Sequence, residues 1–79
     1  METIKELFSA RWCGPCSVLK NKLKKTNIEI DTFDIDECMD KAKERQIKSV
    51  PTLYVKDETG KEQYFRGIED IYDYLTKSE

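Results

Sequence analysis

Histidine is absent from this 79-residue sequence. Its absence excludes Ser-His-Asp catalysis, cysteine nucleophiles activated by histidine, and every metal site that needs a histidine ligand. Any chemistry that the chain performs must therefore use cysteine, carboxylate, amine or backbone groups.

Cysteine is scarce as well, and its count of three is odd. Small secreted domains that depend on disulfides carry more cysteines, usually in even number. The three residues Cys13, Cys16 and Cys38 therefore favour reduced thiols over structural crosslinks.

Long apolar runs are also missing. The first nine residues include Glu2, Lys5 and Glu6, which argues against a secretion signal or a membrane span there, so we expect a cytoplasmic protein without a membrane partner.

The net charge of -2 and the pI near 5.2 give no reason to expect a nucleic-acid partner. The composition, with 38% charged and 38% apolar residues, predicts a globular chain, and the length predicts a single domain over residues 1–79.

Apolar periodicity and turn residues predict the element order βαβαββα. Helices are expected at residues 15–25, 37–46 and from 68 onward, and strands at 4–9, 28–35, 52–56 and 63–65. Val18, Leu19 and Leu23 are expected to form the inward face of the first helix. A right-handed crossover joins the first two strands in parallel, and the last two strands form an antiparallel hairpin. The predicted fold class is α/β, with a four-stranded mixed sheet flanked by helices.

The most informative feature is Cys13-Gly14-Pro15-Cys16, which follows the first predicted strand. Two cysteines at this spacing are able to close a small disulfide ring. Gly14 and Pro15 set the local geometry, because a first helical turn tolerates proline, whose missing N–H would have no partner there. In an intracellular protein, this spacing beside a strand–helix–strand pattern indicates thiol–disulfide exchange.

The two cysteines have different expected roles. At the start of the first helix, unpaired N–H groups and the positive end of the helix dipole stabilise a Cys13 thiolate, which is the nucleophile in exchange. Cys16, one turn further along and less exposed, then resolves the mixed disulfide. The alternatives are an inert disulfide and half of a zinc site, but zinc needs four ligands and only Cys38 is left to join.

Three motifs extend this interpretation: Trp12-Cys13-Gly14-Pro15-Cys16, Val50-Pro51-Thr52, and Gly67 before the last predicted helix. Together they resemble the thioredoxin family over nearly the whole chain, and the length is similar to that of its glutaredoxin-sized members. The resemblance implies a minimal thioredoxin-like fold and a protein disulfide reductase without a cofactor of its own. Its partners would be disulfide-containing client proteins, with thioredoxin reductase as reductant, and we expect a monomer.

The same resemblance implies how a client binds. Pro51 would form a cis peptide that faces the dithiol, so that the Val50 backbone pairs with an extended client segment. The alternative is a trans proline that begins a strand. Trp12 would form an exposed docking surface, or else pack as an ordinary aromatic. Gly67 would either allow the client to approach or simply begin the last helix.

The chain departs from the family pattern at two positions. Leu7 occupies the place of a buried aspartate that helps to move the proton of the resolving thiol, and Thr32 occupies that of a lysine. Glu6 is adjacent to Leu7, but neighbouring strand residues point to opposite faces. Proton transfer from Cys16 would then rely on water or another group. Cys38 is expected to be an inert core residue, with a regulatory or dimer-forming thiol as the alternative.

Two other functions stay open. Gly67-Ile68-Glu69-Asp70 resembles the turn with which glutaredoxins hold glutathione. The second interpretation is therefore a glutaredoxin-like or redoxin-like electron donor, reduced by glutathione or dedicated to one client such as ribonucleotide reductase. The third belongs to another class: a non-catalytic binding or metal module on the same scaffold.

Overall fold

The computed structural model describes residues 3–77, which follow the predicted order βαβαββα. The elements are β1 (Ile4–Ser9), α1 (Gly14–Lys25), β2 (Asp31–Asp34), α2 (Met39–Glu44), β3 (Thr52–Lys56), β4 (Glu62–Arg66) and α3 (Ile68–Lys77). Residues 1, 2, 78 and 79 of the predicted single domain lie outside the described residues. Within residues 3–77, none of the helices is both long and apolar enough to cross a membrane.

The four strands of the described chain form one mixed sheet in the order β2-β1-β3-β4. β1 and β2 are parallel and are joined through α1, whereas β3 is antiparallel to both β1 and β4. The predicted α/β class with a four-stranded mixed sheet is therefore confirmed. The ends of β1 and β2 meet at one edge of the sheet, and α1 begins directly beyond that edge.

One face of the sheet is covered by α1 and α3. Its core consists of apolar residues from the sheet and from both helices: Leu7, Leu53 and Val55 from the sheet, Leu19 and Leu23 from α1, and Ile71 and Leu75 from α3. Burial of these side chains drives the packing, because each removes apolar surface from water. This core packs α1 against the face of β1 that carries Leu7.

The opposite face is covered by α2. Phe8 of β1 stacks on Phe33 of β2, with ring centroids 5.6 Å apart, and packs in a cluster with Ala42 and Tyr54. Leu7 and Phe8 lie in different clusters because consecutive strand residues point to opposite faces.

Three predicted details differ from the structure. Val18 is 48% exposed, so its predicted place on the inward face was wrong. The buried positions of α1 are Cys16, Leu19 and Leu23, and residue 18 lies to the side of that stripe. β2 begins three residues later than predicted, and α2 spans only Met39–Glu44. α2 ends earlier than predicted because Gln46 adopts the left-handed conformation and the Ile47 N–H donates to the Ala42 carbonyl, which closes the helix.

Candidate active site

The first cysteine of the motif lies at the junction of β1 and α1. Cys13 has extended backbone angles and is the N-cap residue of α1. Its N–H donates to the carbonyl of Ala10 at 3.1 Å, and its own carbonyl accepts from Ser17 at 3.3 Å. Pro15 lies in the first helical turn, where no hydrogen-bond donor is needed. This arrangement leaves backbone N–H groups and the positive end of the helix dipole close to the Cys13 sulfur.

The two thiols differ in burial and in protonation. Cys13 is 7% exposed and Cys16 is 1% exposed, and both are free. Burial raises the pKa of Cys16 to about 11, and the hydrogen bond that its thiol shares with Cys13 adds to the rise. At neutral pH, Cys16 is therefore a protonated thiol beneath the more accessible Cys13.

The loop before β3 lies directly against the dithiol. The Cys13 thiol donates to the Val50 carbonyl, with the sulfur and oxygen 3.7 Å apart, and the Val50-Pro51 peptide is cis. Gly67 adds a second connection, because its N–H donates to the Pro51 carbonyl at 3.4 Å. Its φ of +88° is a conformation that favours glycine, and apart from its two chain neighbours no other residue of the described chain lies within 4 Å of the position that a Cβ would take. The residues singled out in three separate motifs thus meet at one place.

Trp12 lies on the surface beside the dithiol. The side chain is 68% exposed, which excludes packing in the core, and its Nε1 donates to a carboxylate oxygen of Asp36 at 2.9 Å. Next to it, Arg11 forms an ion pair with Glu37 and approaches Asp34 at 3.9 Å. Whether Trp12 docks clients stays a prediction.

Sequence reasoning missed these acidic partners. Asp34 and Asp36 lie at and just beyond the end of β2, and the motif follows the end of β1. Because the carboxyl ends of neighbouring parallel strands meet at the same edge of a sheet, that arrangement was the available signal.

The two residues that depart from the family pattern are neighbours in the sheet. Leu7 is part of the core under α1 and is paired with Thr32 of β2. Glu6 points to the opposite face, where it accepts hydrogen bonds from Arg45 at 2.8 Å and Lys41 at 2.9 Å. Burial on its own raises the pKa of Glu6, but these two cations outweigh it and lower the pKa below the ordinary value. Glu6 is thus no substitute for a carboxylate at position 7.

Cys38 is not part of the cluster that contains Cys13 and Cys16. It is the half-buried N-cap residue of α2, and its N–H donates to the Asp34 carbonyl at 2.8 Å. Over residues 3–77, no group of three or more cysteine, aspartate or glutamate side chains is placed to hold a metal ion.

Comparison with known proteins identifies the family. A family model described as thioredoxin matches residues 4–77. This chain belongs to the thioredoxin family. Thioredoxin from Equus caballus is 35% identical over 65 residues, which cover 76% of this chain and 62% of that protein. Thioredoxin from Homo sapiens is 39% identical over 51 residues, which cover 58% of this chain and 49% of the human protein. The chain thus spans about six-tenths or less of the length of these curated relatives.

Solved structures of thioredoxins have the same fold. Mitochondrial thioredoxin 3 from Saccharomyces cerevisiae superimposes with a TM-score of 0.77 at 24% identity, covering 96% of this chain and 78% of that one. A thioredoxin from Nicotiana alata has a TM-score of 0.74 at 27% identity, covering 96% and 72%. The thioredoxin fold implied by the sequence motifs is therefore confirmed.

Proposed function

We propose that this thioredoxin-family chain is a thiol–disulfide oxidoreductase that reduces protein disulfides. The observation that carries the proposal is the placement of two free thiols, Cys13 and Cys16, at the start of α1 and against the loop of Val50 and Pro51. One thiol is near the surface, and the other lies beneath it within hydrogen-bond distance. This is the geometry that two-step exchange requires.

The first step uses Cys13. Its thiolate attacks one sulfur of the client disulfide, forms a mixed disulfide, and releases the other client sulfur as a thiolate. Cys13 is the better nucleophile of the pair because it is more exposed and caps a helix N-terminus, where negative charge is stabilised. Cys16 is protonated and buried, so it does not compete for the client.

Client binding uses the surface around Cys13. An extended client segment pairs with the Val50 backbone, beside the carbonyl that accepts from the Cys13 thiol. Trp12 supplies an exposed aromatic surface next to this segment, held in place by Asp36. Recognition through main-chain groups and one aromatic demands little of the client sequence.

The second step uses Cys16. Its sulfur attacks Cys13, the Cys13–client bond breaks, and the reduced client leaves an intramolecular Cys13–Cys16 disulfide. A reductant must then reopen that disulfide. We propose thioredoxin reductase in this role, with the chain acting as a monomeric, single-domain carrier in the cytoplasm and without a cofactor of its own.

The test is reduction of a protein disulfide, such as those of insulin, coupled to thioredoxin reductase or to glutathione with its reductase. We expect turnover with the first system, no turnover after Cys13→Ser, and a trapped mixed disulfide with Cys16→Ser by mass spectrometry. Cys38→Ser is the matched control and keeps full turnover. Turnover with glutathione alone would instead favour the glutaredoxin-like interpretation, and activity that survives Cys13→Ser would overturn the proposal.

A further inference from the structure

A buried hydroxyl lies at the end of β1, four residues before Cys13. The Ser9 side chain at the end of β1 is 1% exposed, and its Oγ has no hydrogen-bond partner within residues 3–77. A buried hydroxyl that loses its hydrogen bonds to water and forms none within the protein destabilises a fold. Such a group calls for a physical explanation, and one is a partner that is formed only during the reaction.

The strand pattern places this hydroxyl on the face covered by α1. Glu6 and Phe8 face α2, whereas Leu7 packs against Leu19 of α1. Because side chains alternate along a strand, Ser9 points to the same side as Leu7. On that side, the buried stripe of α1 begins with Cys16.

The backbone connects Ser9 directly to the resolving thiol. The Cys16 sulfur accepts a hydrogen bond from the backbone N–H of Ala10, the residue that follows Ser9. Adjacent Cα atoms are only about 3.8 Å apart. The Ser9 hydroxyl and the Cys16 sulfur therefore share one buried layer between β1 and α1.

Charged and titratable groups reach this layer from several elements. On α1 they are Cys13 and Lys20, and Lys20 lowers the pKa of Cys16. On β2, Asp34 is paired with Ser9 and points to the same face, but its carboxylate accepts from the Asp36 N–H and lies by Arg11. The other groups packed on this side are apolar or tyrosine side chains: Ile35 and Val50 against the dithiol, and Ile71, Leu75, Tyr72 and Tyr74 of α3 in the adjoining core.

We propose that Ser9 is a positioning residue for the resolving step, and that its hydroxyl donates a hydrogen bond to the Cys16 sulfur as that sulfur loses its proton. The inference rests on the proposed function. Rotation about the Ser9 Cα–Cβ bond moves the hydroxyl among staggered positions and redirects its hydrogen. No carboxylate is present at Leu7, so this hydroxyl supplies the polar contact that the buried sulfur needs when it becomes charged.

The atoms and electrons of the step balance. The Cys16 thiolate attacks Cys13, the Cys13–Cys16 bond forms, and the Cys13–client bond breaks with its electron pair on the client sulfur. The client sulfur takes up one proton at neutral pH, which equals the proton that Cys16 lost. Ser9 keeps its own proton. During this step Cys13 is in the mixed disulfide and carries no charge, so burial is the main obstacle to the Cys16 thiolate.

The test follows the two steps separately by stopped-flow mixing with an aromatic disulfide that releases a coloured thiolate. In a Cys38→Ser background, the first, concentration-dependent phase reports attack by Cys13, and the second, unimolecular phase reports attack by Cys16. We expect Ser9→Ala to leave the first phase unchanged and to slow the second about tenfold or more at pH 7, because a hydrogen bond to a charged group is lost. The pH at which the second phase reaches half its maximal rate should rise by about one unit.

Two controls keep this test decisive. Removal of an unpaired buried hydroxyl does not weaken the fold, so Ser9→Ala should unfold no earlier than the parent in urea. Ser9→Thr retains a hydroxyl and should restore the rate of the second phase. A second phase with unchanged rate and pH profile in Ser9→Ala overturns the role of Ser9 and leaves the proposed function intact. Absence of the first phase in the parent chain overturns the proposed function itself.

Discussion

The Cys13 thiol donates to the carbonyl oxygen of Val50 across 3.7 Å. This contact joins the start of α1 to the loop before β3, two segments that are 37 residues apart in the chain. It also directs the thiol toward the Val50 backbone, which we propose pairs with the client segment. The nucleophile and the binding group are thus held by the same interaction, and a client segment that pairs with Val50 arrives beside the sulfur that attacks it.

Alkylation should distinguish the two cysteines of the motif. Burial raises the pKa of Cys16 to about 11, so this thiol stays protonated below about pH 10. With iodoacetamide at pH 7, in a Cys38→Ser background, we expect Cys13 to be modified at least tenfold faster than Cys16, as measured by peptide mass spectrometry. Modification of Cys16 should rise only as the pH approaches 11. In urea-unfolded chain the two rates should converge, and equal rates in the folded chain would contradict the assignment.

Loss of the Trp12 ring should weaken the binding of protein clients more than the binding of small disulfides. Trp12 is 68% exposed beside the dithiol, and an aromatic at the centre of an interface often contributes about 2 kcal/mol to binding. For Trp12→Ala we expect KM for a protein disulfide to rise about thirtyfold, with little change for a small aromatic disulfide. Ile4→Ala, at the other end of β1 and also exposed, serves as control. Equal losses with both substrates would mean that Trp12 acts on the dithiol and not on the client.

The indole hydrogen bond is a separate test of the same surface. Trp12 Nε1 donates to Asp36, and Asp36→Ala removes the acceptor while leaving the ring. We expect a change in Trp12 fluorescence and a smaller, about two- to fivefold, rise in KM for the protein client, because a single exposed hydrogen bond contributes about 0.5–1 kcal/mol. Asp36→Asn keeps an acceptor and should lie close to the parent. An unchanged fluorescence spectrum in Asp36→Ala would count against a fixed indole.

The buried carboxylate of Glu6 should make stability depend on pH. Hydrogen bonds from Arg45 and Lys41 lower its pKa against the opposing effect of burial. A lowered folded-state pKa contributes stability above the unfolded value of 4.5, and this contribution is lost as the pH falls through the folded-state value. We expect Glu6→Gln to lower the free energy of unfolding by about 2–4 kcal/mol at pH 7, measured in urea, and by less at pH 3.

A neighbouring acid provides the control for Glu6. Glu44 on α2 is exposed, so Glu44→Gln should change stability by less than about 0.5 kcal/mol at either pH. A Glu6→Gln variant that is equally destabilised at pH 7 and pH 3 would show that shape, and not charge, is what Glu6 contributes.

Gly67 has two interpretations that a matched pair of variants separates. Gly67 has a φ of +88° and Gly60, in the hairpin turn, has a φ of +90°, and each has open space where a Cβ would lie. Gly67→Ala and Gly60→Ala should therefore each cost about 1–2 kcal/mol of stability through backbone strain. If Gly67 admits the client, only Gly67→Ala should also slow reduction of a protein disulfide. Equal activity in the two variants would leave Gly67 as the residue that begins α3.

Local sequence signals accounted for most of the fold. The alternation in β1, the proline at the start of α1 and the spacing of apolar residues in α3 each depend on residues close together in the chain, so these elements could be predicted. The ends of β2 and α2 could not, because the conformation of Gln46 and the pairing of β2 with β1 are decided by contacts with distant segments. Val18 shows the same limit: its apolar side chain matches the helical pattern, but α1 meets the sheet along Cys16, Leu19 and Leu23.

The sequence by itself determined the dithiol, its place between a strand and a helix, and the family to which the chain belongs, because these depend on residue types and short spacings. Only the tertiary structure decided what surrounds the motif: the Val50 carbonyl at Cys13, Asp36 at Trp12, and the buried Ser9 hydroxyl, which has no hydrogen-bond partner among residues 3–77. The physical reason is that these partners come from strands and loops far apart in the chain. Burial of the two apolar cores brings these partners together, and no local sequence pattern indicates those contacts.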